Sequence, residues 1–365
     1  MNPLAHIGSV SLLLTLFSLF ALVGNLSFVA FAQDLNKSKG EMIVVGEKPS
    51  AIAVNPTMNK VYVANALSNS VSVIDGSRNT VIDTIKVGGH PLGIAVNQYT
   101  NKIYVTNFES VNVSVIDGET DKVIANISNA GFRPYKLAID TRTNLVYVAS
   151  SSLAIVSVID GSTDRVLSNI TLNRGMINGI AVNPNTGIAY VTHDSSNFVS
   201  IVDISSGKPV EMLIVGDRVF DVAVDPTSNS FYVLELGGVS VIDGSTNRVL
   251  ANITLNSYMQ GAAVNSRTNI VYVADGWSNS TTVIDASSNI VEHIIDIPNG
   301  ANAVALNQET NTIYVANHLN SIIVIDGSTN RIIPEFSSPI ATVLAAASIM
   351  GVIVAVKYGT RKKTR

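Results

Sequence analysis

The sequence predicts an all-β fold, a seven-bladed β-propeller whose blades each have four strands. A Tyr-Val step recurs along the chain at nearly fixed intervals of 40 to 43 residues. Its tyrosines are Tyr62, Tyr104, Tyr147, Tyr190, Tyr232, Tyr272 and Tyr314. A repeat of this length with strand-like contents is typical of one propeller blade copied along a chain.

The first repeat extends from Pro49 to Gly88 and contains four runs rich in valine and isoleucine, separated by turn residues. Each run is predicted to be a strand. The innermost run has an alanine at its centre in every copy, and side chains of a strand alternate between its two faces. We expect these small residues to let neighbouring sheets approach, while large residues on the other face fill the wedge between blades. The alanines are Ala53, Ala95, Ala138, Ala181, Ala223, Ala263 and Ala305.

The turns repeat as well. The first hairpin of a repeat begins with Asn-Pro or Asn, as at Asn55 and Asn183, and the third strand ends in an aspartate that Gly usually follows. These aspartates are Asp75, Asp117, Asp160, Asp203, Asp243, Asp285 and Asp326. Asp and Asn cap their own backbone in turns, so we interpret the aspartates as turn residues and not as metal ligands.

The two ends of the repeat region are predicted to complete one blade. Gly46 aligns with Gly88, so residues 42–45 correspond to the end of an outermost strand, whereas the seventh repeat stops early at Ile333. We therefore expect the N-terminal piece to complete the outer edge of the last blade, which closes the ring over residues 42–333.

Two strings make the repeat resemble a known family. Val61 to Asn65 reads V-Y-V-A-N and Ile103 to Asn107 reads I-Y-V-T-N, and V-I-D-G follows each of them. These strings resemble the YVTN-repeat β-propellers, which are typical of archaeal and bacterial surface-layer-type proteins. The resemblance covers about residues 42–333. It implies a propeller fold and a surface setting, and it supplies no catalytic motif.

The N-terminus is predicted to direct export. Residues 8–32 are almost wholly apolar, and Ala30-Phe31-Ala32 has the small-x-small form of a signal-peptidase site. We assign residues 1–32 to a signal peptide and 33–41 to a linker. Because the first residues lack Lys and Arg, the alternative is an uncleaved N-terminal anchor, and either arrangement sends the propeller across the membrane.

The C-terminus is predicted to hold a membrane anchor. Residues 334–339 form a linker, 340–356 an apolar segment just long enough for a transmembrane helix, and 357–365 a basic cytoplasmic tail. Pro334, Glu335 and Phe336 precede the apolar segment. This order resembles the sorting signals that archaeosortases read, which implies either removal of the tail by such an enzyme or its retention as an anchor.

Composition agrees with export. Cysteine is absent, which excludes disulfides and thiolate chemistry. A net charge of -4 does not indicate the basic surface that binds nucleic acid. Asn-x-Ser/Thr sequons predict a glycoprotein, and three of them share one place on the outer strand. The sequon residues are Asn36, Asn112, Asn126, Asn169, Asn252 and Asn279. The alternative is that Asn and Thr are simply common on polar strand faces.

One face of the propeller is the predicted functional surface. It carries the loops before the inner strands and the loops between second and third strands, and we call it the mouth face. Loops carry function on rigid scaffolds. Lys48, His90, Arg133 and Arg218 share one position and could form a ring around the channel mouth that holds an anion such as a carboxylate or an acidic sugar; the alternative is a solvated surface with scattered charges. The candidate ligand-binding residues are Lys48, His90, Arg133, Lys136, His193, Arg218, Asp221, Glu235, Tyr258 and Asp275.

The sequence shows no catalytic motif, no recognisable metal set and no cofactor motif. We expect a non-catalytic propeller, outside the cell and anchored to its surface, that binds cell-surface proteins or glycans in adhesion or envelope structure. The alternative is an extracellular lyase or lactonase-like hydrolase with its site at the channel mouth, where His90 and His193 could act as acid and base. A redox or quinoprotein-like domain is disfavoured because no cofactor ligand motif is found.

Overall fold

The strands are short and follow one another through tight turns. The computed structural model describes residues 42–172 and 175–333, and every regular element in these ranges is a β-strand. After β1 (Met42–Val44), the first repeat has β2 (Pro49–Asn55), β3 (Lys60–Asn65), β4 (Ser70–Asp75) and β5 (Thr80–Lys86). The second has β6 (Pro91–Asn97), β7 (Lys102–Asn107), β8 (Asn112–Asp117) and β9 (Lys122–Ser128). The third has β10 (Pro134–Asp140), β11 (Leu145–Ser150), β12 (Ile155–Asp160) and β13 (Arg165–Thr171).

The later repeats continue the pattern with two longer strands. The fourth repeat has β14 (Ile177–Asn183), β15 (Ile188–His193), β16 (Phe198–Asp203) and β17 (Lys208–Ile214). Next come β18 (Val219–Asp225), β19 (Ser230–Asp243), β20 (Arg248–Asn265), β21 (Ile270–Asp275), β22 (Ser280–Asp285) and β23 (Ile290–Asp296). The seventh repeat has β24 (Ala303–Asn307), β25 (Thr312–Ala316), β26 (Ser321–Asp326) and β27 (Arg331–Ile332).

Successive strands pair antiparallel, so each of the first four repeats forms a four-stranded sheet. In the fifth repeat, β19 runs through the second and third strand positions. β20 then joins the outer position of that repeat to the inner position of the sixth. The strands of these two repeats are therefore connected in one six-stranded series, from β18 to β23.

The inner strands surround a central channel. They contact one another in chain order, from β2 through β6, β10, β14, β18, β20 and β24, and β24 contacts β2 again. The sheets thus form a closed ring, as expected of a propeller.

Both ends of the described chain lie on the outer edge of the last sheet. β1 pairs with β26 through Met42 opposite Ile323, and β27 pairs with the other half of β26 through Ile332 opposite Ile325. The N-terminal segment thus lies at the edge to which the sequence analysis assigned it. The outer strand of this sheet is built from two separate pieces of chain.

The repeated alanine and tyrosine are cross-strand neighbours. Ala53 is opposite Tyr62, and the same pair recurs in every repeat. All seven tyrosines are almost completely buried. The core lies between adjacent sheets, where Tyr62 and Val73 of the first pack against Ile94 and Val105 of the second. A small residue beside each large ring therefore lets the sheets pack closely. We expected the large residues to lie on the face opposite the alanines, but the tyrosines, the largest side chains in the wedge, lie on the alanine face.

Hydrogen bonds between asparagines on the face opposite the mouth link five of the seven pairs of adjacent repeats; the third and fifth repeats have Asp140 and Asp225 in place of the donor asparagine. The amide of Asn55 donates to Asn101 Oδ1 at 2.6 Å, and Asn307 donates to Asn59 Oδ1 at 2.9 Å, which joins the last repeat to the first. Equivalent bonds link Asn97 to Asn144, Asn183 to Asn229 and Asn265 to Asn311. The accepting asparagines have φ between 50° and 58°, a left-handed conformation that Asn tolerates.

The aspartates after the third strands cap their own turns. Asp75 Oδ1 accepts the Ser77 N–H at 2.8 Å, and Asp285 accepts the Ser287 N–H at 2.8 Å. Hydrogen bonds from the Ser287 and Ser288 hydroxyls hold the pKa of Asp285 down at about 2. These contacts agree with the interpretation of the aspartates as turn residues.

Candidate functional site at the channel mouth

The channel contains a cavity of about 150 Å³ to which every inner strand contributes. One aligned position of the inner strands supplies much of its wall and is Gly or Ala in five repeats: Ala51, Gly93, Gly261 and Ala303 line the cavity, and the fourth repeat has Gly179 there. Lys136 and Asp221 occupy this position in the third and fifth repeats. The two charged side chains therefore use the space that small residues leave elsewhere.

Lys136 and Asp221 form an ion pair in the channel, with Nζ 3.1 Å from Oδ2. The repeat between them contributes Gly179, and a Cβ there would collide with Asp221 Oδ1. Burial is the largest single effect on Lys136 and opposes its charge, yet attraction to Asp221 and Tyr135 and the hydrogen bond to Asp221 together outweigh it and raise the pKa of the amine. The lysine charge is thus neutralised within the protein, which leaves it less available to an anionic ligand.

The four cations predicted to ring the mouth have an unusual backbone. Lys48, His90, Arg133 and Arg218 have φ of 54°, 53°, 54° and 36°. Their carbonyl oxygens accept backbone N–H groups at 2.9 to 3.2 Å, from the loop between second and third strands in the first three cases and from Leu236 of β19 in the case of Arg218. Most other non-glycine residues with positive φ in the described chain are Asn or Asp. A left-handed conformation costs a long side chain about 1 kcal/mol or more, so these cations occupy positions that Gly or Asn would fit better.

The mouth face gathers aromatic rings around these cations. The Arg133 guanidinium lies 5.2 Å from the ring centre of Phe108 and 5.9 Å from that of Phe132, and His90 lies 6.1 Å from Phe108. Across the mouth, the Arg218 guanidinium lies 5.5 Å from the centre of the Phe220 ring. Such cation–π contacts hold the arginines in place while their edges stay exposed.

Tyr258 lies between two other aromatic rings of this surface. It packs on Phe220 at 4.3 Å and on Trp277 at 5.4 Å between ring centroids. Burial is the main cause of its raised pKa; Tyr135 adds to it and Arg218 opposes it. Tyr135 belongs to the third repeat and Arg218 to the fifth, so residues from several repeats influence the pKa of the Tyr258 hydroxyl.

Carboxylates accompany the mouth cations. Glu47 and Asp217 immediately precede Lys48 and Arg218 in the chain, and both are exposed. Glu109 Oε1 lies 3.9 Å from His90 Nδ1. The mouth therefore has mixed charge and not the uniformly positive ring that the anion hypothesis requires.

Three predicted mouth residues are buried at the ends of second strands. His193 Nε2 lies 2.8 Å from the Ser200 hydroxyl, and its ring packs on Phe198. Glu235 Oε1 lies 2.8 Å from the Ser240 hydroxyl, and burial raises the pKa of this carboxyl. Asp275 accepts hydrogen bonds within its own turn. The structure thus joins Lys136 with Asp221 and Arg218 with Tyr258, whereas these three side chains bond inside their own sheets.

Sequence reasoning missed the aromatic residues of the mouth. Phe108, Phe132, Phe220 and Trp277 lie in or beside the same loops as the predicted cations, and Phe132 and Trp277 are 52% and 71% exposed. An available signal was that aromatic residues cluster at these loop positions in several repeats. Within the described ranges, no group of three or more His, Cys, Asp or Glu residues could hold a metal ion.

The outer-strand sequons are exposed. Asn126, Asn169 and Asn252 each accept a serine hydroxyl at Oδ1, at 2.8 to 2.9 Å. Asn279 is also exposed, whereas Asn112 is half-buried and accepts a hydrogen bond from Asn107.

Other predicted features lie outside the described residues. These are Asn36, the motif Pro334, Glu335 and Phe336, and the segments 1–32, 33–41, 334–339, 340–356 and 357–365. In the part of the chain that the structure describes, no helix is long and apolar enough to span a membrane.

Comparison with known proteins identifies a fold but no family. No protein-family model matches the chain, and no curated protein matches it. A chain in the solved structure of Kuenenia stuttgartiensis hydrazine synthase is similar, with a TM-score of 0.72 and 20% identity over 79% of this chain and 98% of that chain. The fold is a β-propeller. At this level of identity the similarity extends to the fold alone.

Proposed function

We propose that the chain is a seven-bladed YVTN-type propeller that is exported, anchored to the cell surface, and serves as a non-catalytic module binding cell-surface proteins or glycans. The seven-fold period, the apolar segment before Gln33 and the apolar segment 340–356 with its basic tail support this proposal. Removal of the tail by an archaeosortase-like enzyme and glycosylation of the sequons belong to the same proposal.

The observation that carries the binding role is the set of cations held in left-handed backbone at the mouth. Backbone strain at one face of a rigid scaffold is a recognised sign of function. Arg133 and Arg218 are exposed, and both lie over aromatic rings on that face. A surface that combines rigid aromatic rings with arginine edges is suited to binding, because Tyr, Trp and Arg dominate binding energy at interfaces.

The enzyme alternative has less support. It requires an acid and a base that face one substrate. His193 is completely buried and bonded to Ser200, whereas His90 lies beside Glu109 and Phe108 nearer the surface. The mouth face therefore favours binding over proton transfer.

Surface display is tested by labelling intact cells with a membrane-impermeant amine reagent. We expect the propeller to be labelled while a cytosolic protein is not. A propeller that is labelled only after cell lysis would contradict export.

The binding role is tested by capture of native envelope material on the full-length chain. We expect Arg133→Ala with Arg218→Ala to weaken capture by about tenfold or more. Arg165→Ala, at an exposed arginine of β13, is the matched control and should capture normally. Equal capture by both variants would show that the mouth is not the binding surface.

A further inference from the structure

The only tryptophan of the chain lies on the mouth face, in the loop after β21. Trp277 is 71% exposed, and its indole stacks on Tyr258 with planes at 21° and centroids 5.4 Å apart. Tyr258 rests on Phe220, which in turn lies under Arg218. We call these four side chains the tryptophan platform. Tyr258 covers one face of the indole, and the high exposure leaves the other face open to a ligand.

Hydrogen bonds fix the loop that holds the indole. Asp275 is buried, and its Oδ1 accepts the Trp277 N–H at 3.0 Å while its Oδ2 accepts the Ser278 hydroxyl at 2.5 Å. The Gly276 N–H donates to the Tyr258 carbonyl at 3.2 Å. The exposed ring is therefore preorganised, so a ligand that stacks on it needs to immobilise little of the protein.

The charges near the platform do not favour an ionic ligand. Arg218 follows the exposed Asp217, and Lys136 is paired with Asp221. Asp194 lies close enough to Tyr258 to raise its pKa further, after the larger effect of burial. Because carboxylates here at least match the cations, attraction for an anion is weak.

Planar polar groups lie near the aromatic surface. Asn178 Nδ2 donates to Asp194 Oδ1 at 3.0 Å, and Gln260 lines the channel cavity and lies against Gly276, the residue before Trp277. Amides and carboxylates of this kind bind pairs of hydroxyl groups, while an exposed indole binds a flat apolar face. A pyranose ring presents both, since its C–H face is apolar and its edge carries hydroxyls.

We propose that the tryptophan platform binds a neutral glycan, with one pyranose ring stacked on Trp277 and its hydroxyls directed towards Gln260, Asp194 and Arg218. This inference rests on the proposed function of the mouth as a binding surface and names its ligand class. It departs from the acidic sugar expected from the cations alone, because their charges are balanced.

The test uses the full-length chain, purified in a detergent without a sugar headgroup. The probes are cellohexaose, maltohexaose and mannohexaose, with a hexamer of galacturonic acid as the charged comparison. Since the chain has one tryptophan, its fluorescence reports directly on the platform. We expect at least one neutral hexamer to change this fluorescence saturably, with an affinity that does not change between low and high salt.

Variants locate the site. By calorimetry, Trp277→Ala should lower the affinity about tenfold, and Trp277→Phe should retain most of it. Leu319→Ala is the matched control, because Leu319 is exposed at the same loop position of the seventh repeat and should not matter. Melting temperatures equal to that of the parent show that these variants are folded.

Three results would overturn the inference. One is binding of the galacturonate hexamer alone, with an affinity that falls as salt rises. Another is neutral binding that Trp277→Ala leaves unchanged. The third is no binding of any hexamer by a chain that still captures envelope material. In each case the binding role survives, whereas loss of both envelope capture and surface labelling would reject the proposed function itself.

Discussion

Glu235 gives the fifth repeat a side-chain hydrogen-bond network that differs from that of the second repeat. In the second repeat, Asn107 Nδ2 donates to the Ser114 hydroxyl, which donates to Asn126 Oδ1. In the fifth, the Ser240 hydroxyl lies 2.8 Å from Glu235 Oε1 and 2.9 Å from Asn252 Oδ1, although it has only one proton. A protonated Glu235 supplies the missing donor, and the pKa raised by burial is consistent with this form.

Glu235→Gln should therefore stabilise the fold as pH rises. Because the folded pKa lies above that of an unfolded glutamate, the contribution of Glu235 is complete below the unfolded value and is lost as pH rises through the folded value. The Gln amide keeps the donor at every pH. We expect a gain of about 1 kcal/mol at neutral pH and a smaller one in acid, measured by denaturant unfolding.

Glu119→Gln is the control for this prediction. Glu119 is exposed in the turn before β9, so its replacement should leave the pH profile of stability unchanged. A Glu235→Gln variant that loses stability at neutral pH would show that the ionised carboxylate is the native form.

At the scale of the strand, the outer strands β9, β13 and β20 present one sequon each in the same way. A serine of the neighbouring strand fixes Oδ1 of the asparagine, and the side chain is exposed. Glycosylation takes place at the amide nitrogen, which this arrangement leaves directed away from the serine. The strand geometry thus suits modification at three equivalent points of the rim.

Peptides containing Asn126, Asn169 and Asn252 from the native protein should each carry one glycan. Mass spectrometry of these peptides measures this, and each Asn→Gln variant should lose the mass of one glycan. Thr84 holds the equivalent place on β5 without a sequon and serves as the unmodified control. Unmodified peptides at all three sites would mean that these asparagines serve only as polar strand residues.

The strands and turns could be predicted from the sequence because the information is local. Alternation within each run, and Asn or Asp at each turn, specify a hairpin without reference to distant residues. Contacts between repeats are not local, so the packing of Tyr258 between Trp277 and Phe220 was not predicted. Likewise His193 and Glu235 were placed on the mouth face, but second strands are buried on both faces, and their last residues are buried with them.

At the scale of the whole molecule, stability depends on closing the ring. The last sheet has the least regular outer strand, since β1 contributes three residues and β27 two. Ile43 is the buried member of β1, with 6% of its surface exposed, whereas its neighbour Val44 is 76% exposed. The closure therefore depends strongly on one side chain.

Ile43→Asp should weaken the closure, because it buries a charge without a partner. We expect a loss of about 2–4 kcal/mol in the free energy of unfolding, by thermal or denaturant melting. Val44→Asp places the same charge one residue away in solvent and should change stability by less than about 0.5 kcal/mol. Equal effects of the two variants would indicate that β1 does not contribute to the closure.

The register of the last sheet makes the chain a natural candidate for circular permutation. Ile332 and Met42 are opposite Ile325 and Ile323 of the same strand, so the two pieces run in one direction along one edge. Spliced from Ile333 to Glu41, they would read R-I-I-E-M-I-V-V-G, close to the T-V-I-D-T-I-K-V-G of the first repeat. New termini could then be placed in any polar hairpin elsewhere in the propeller.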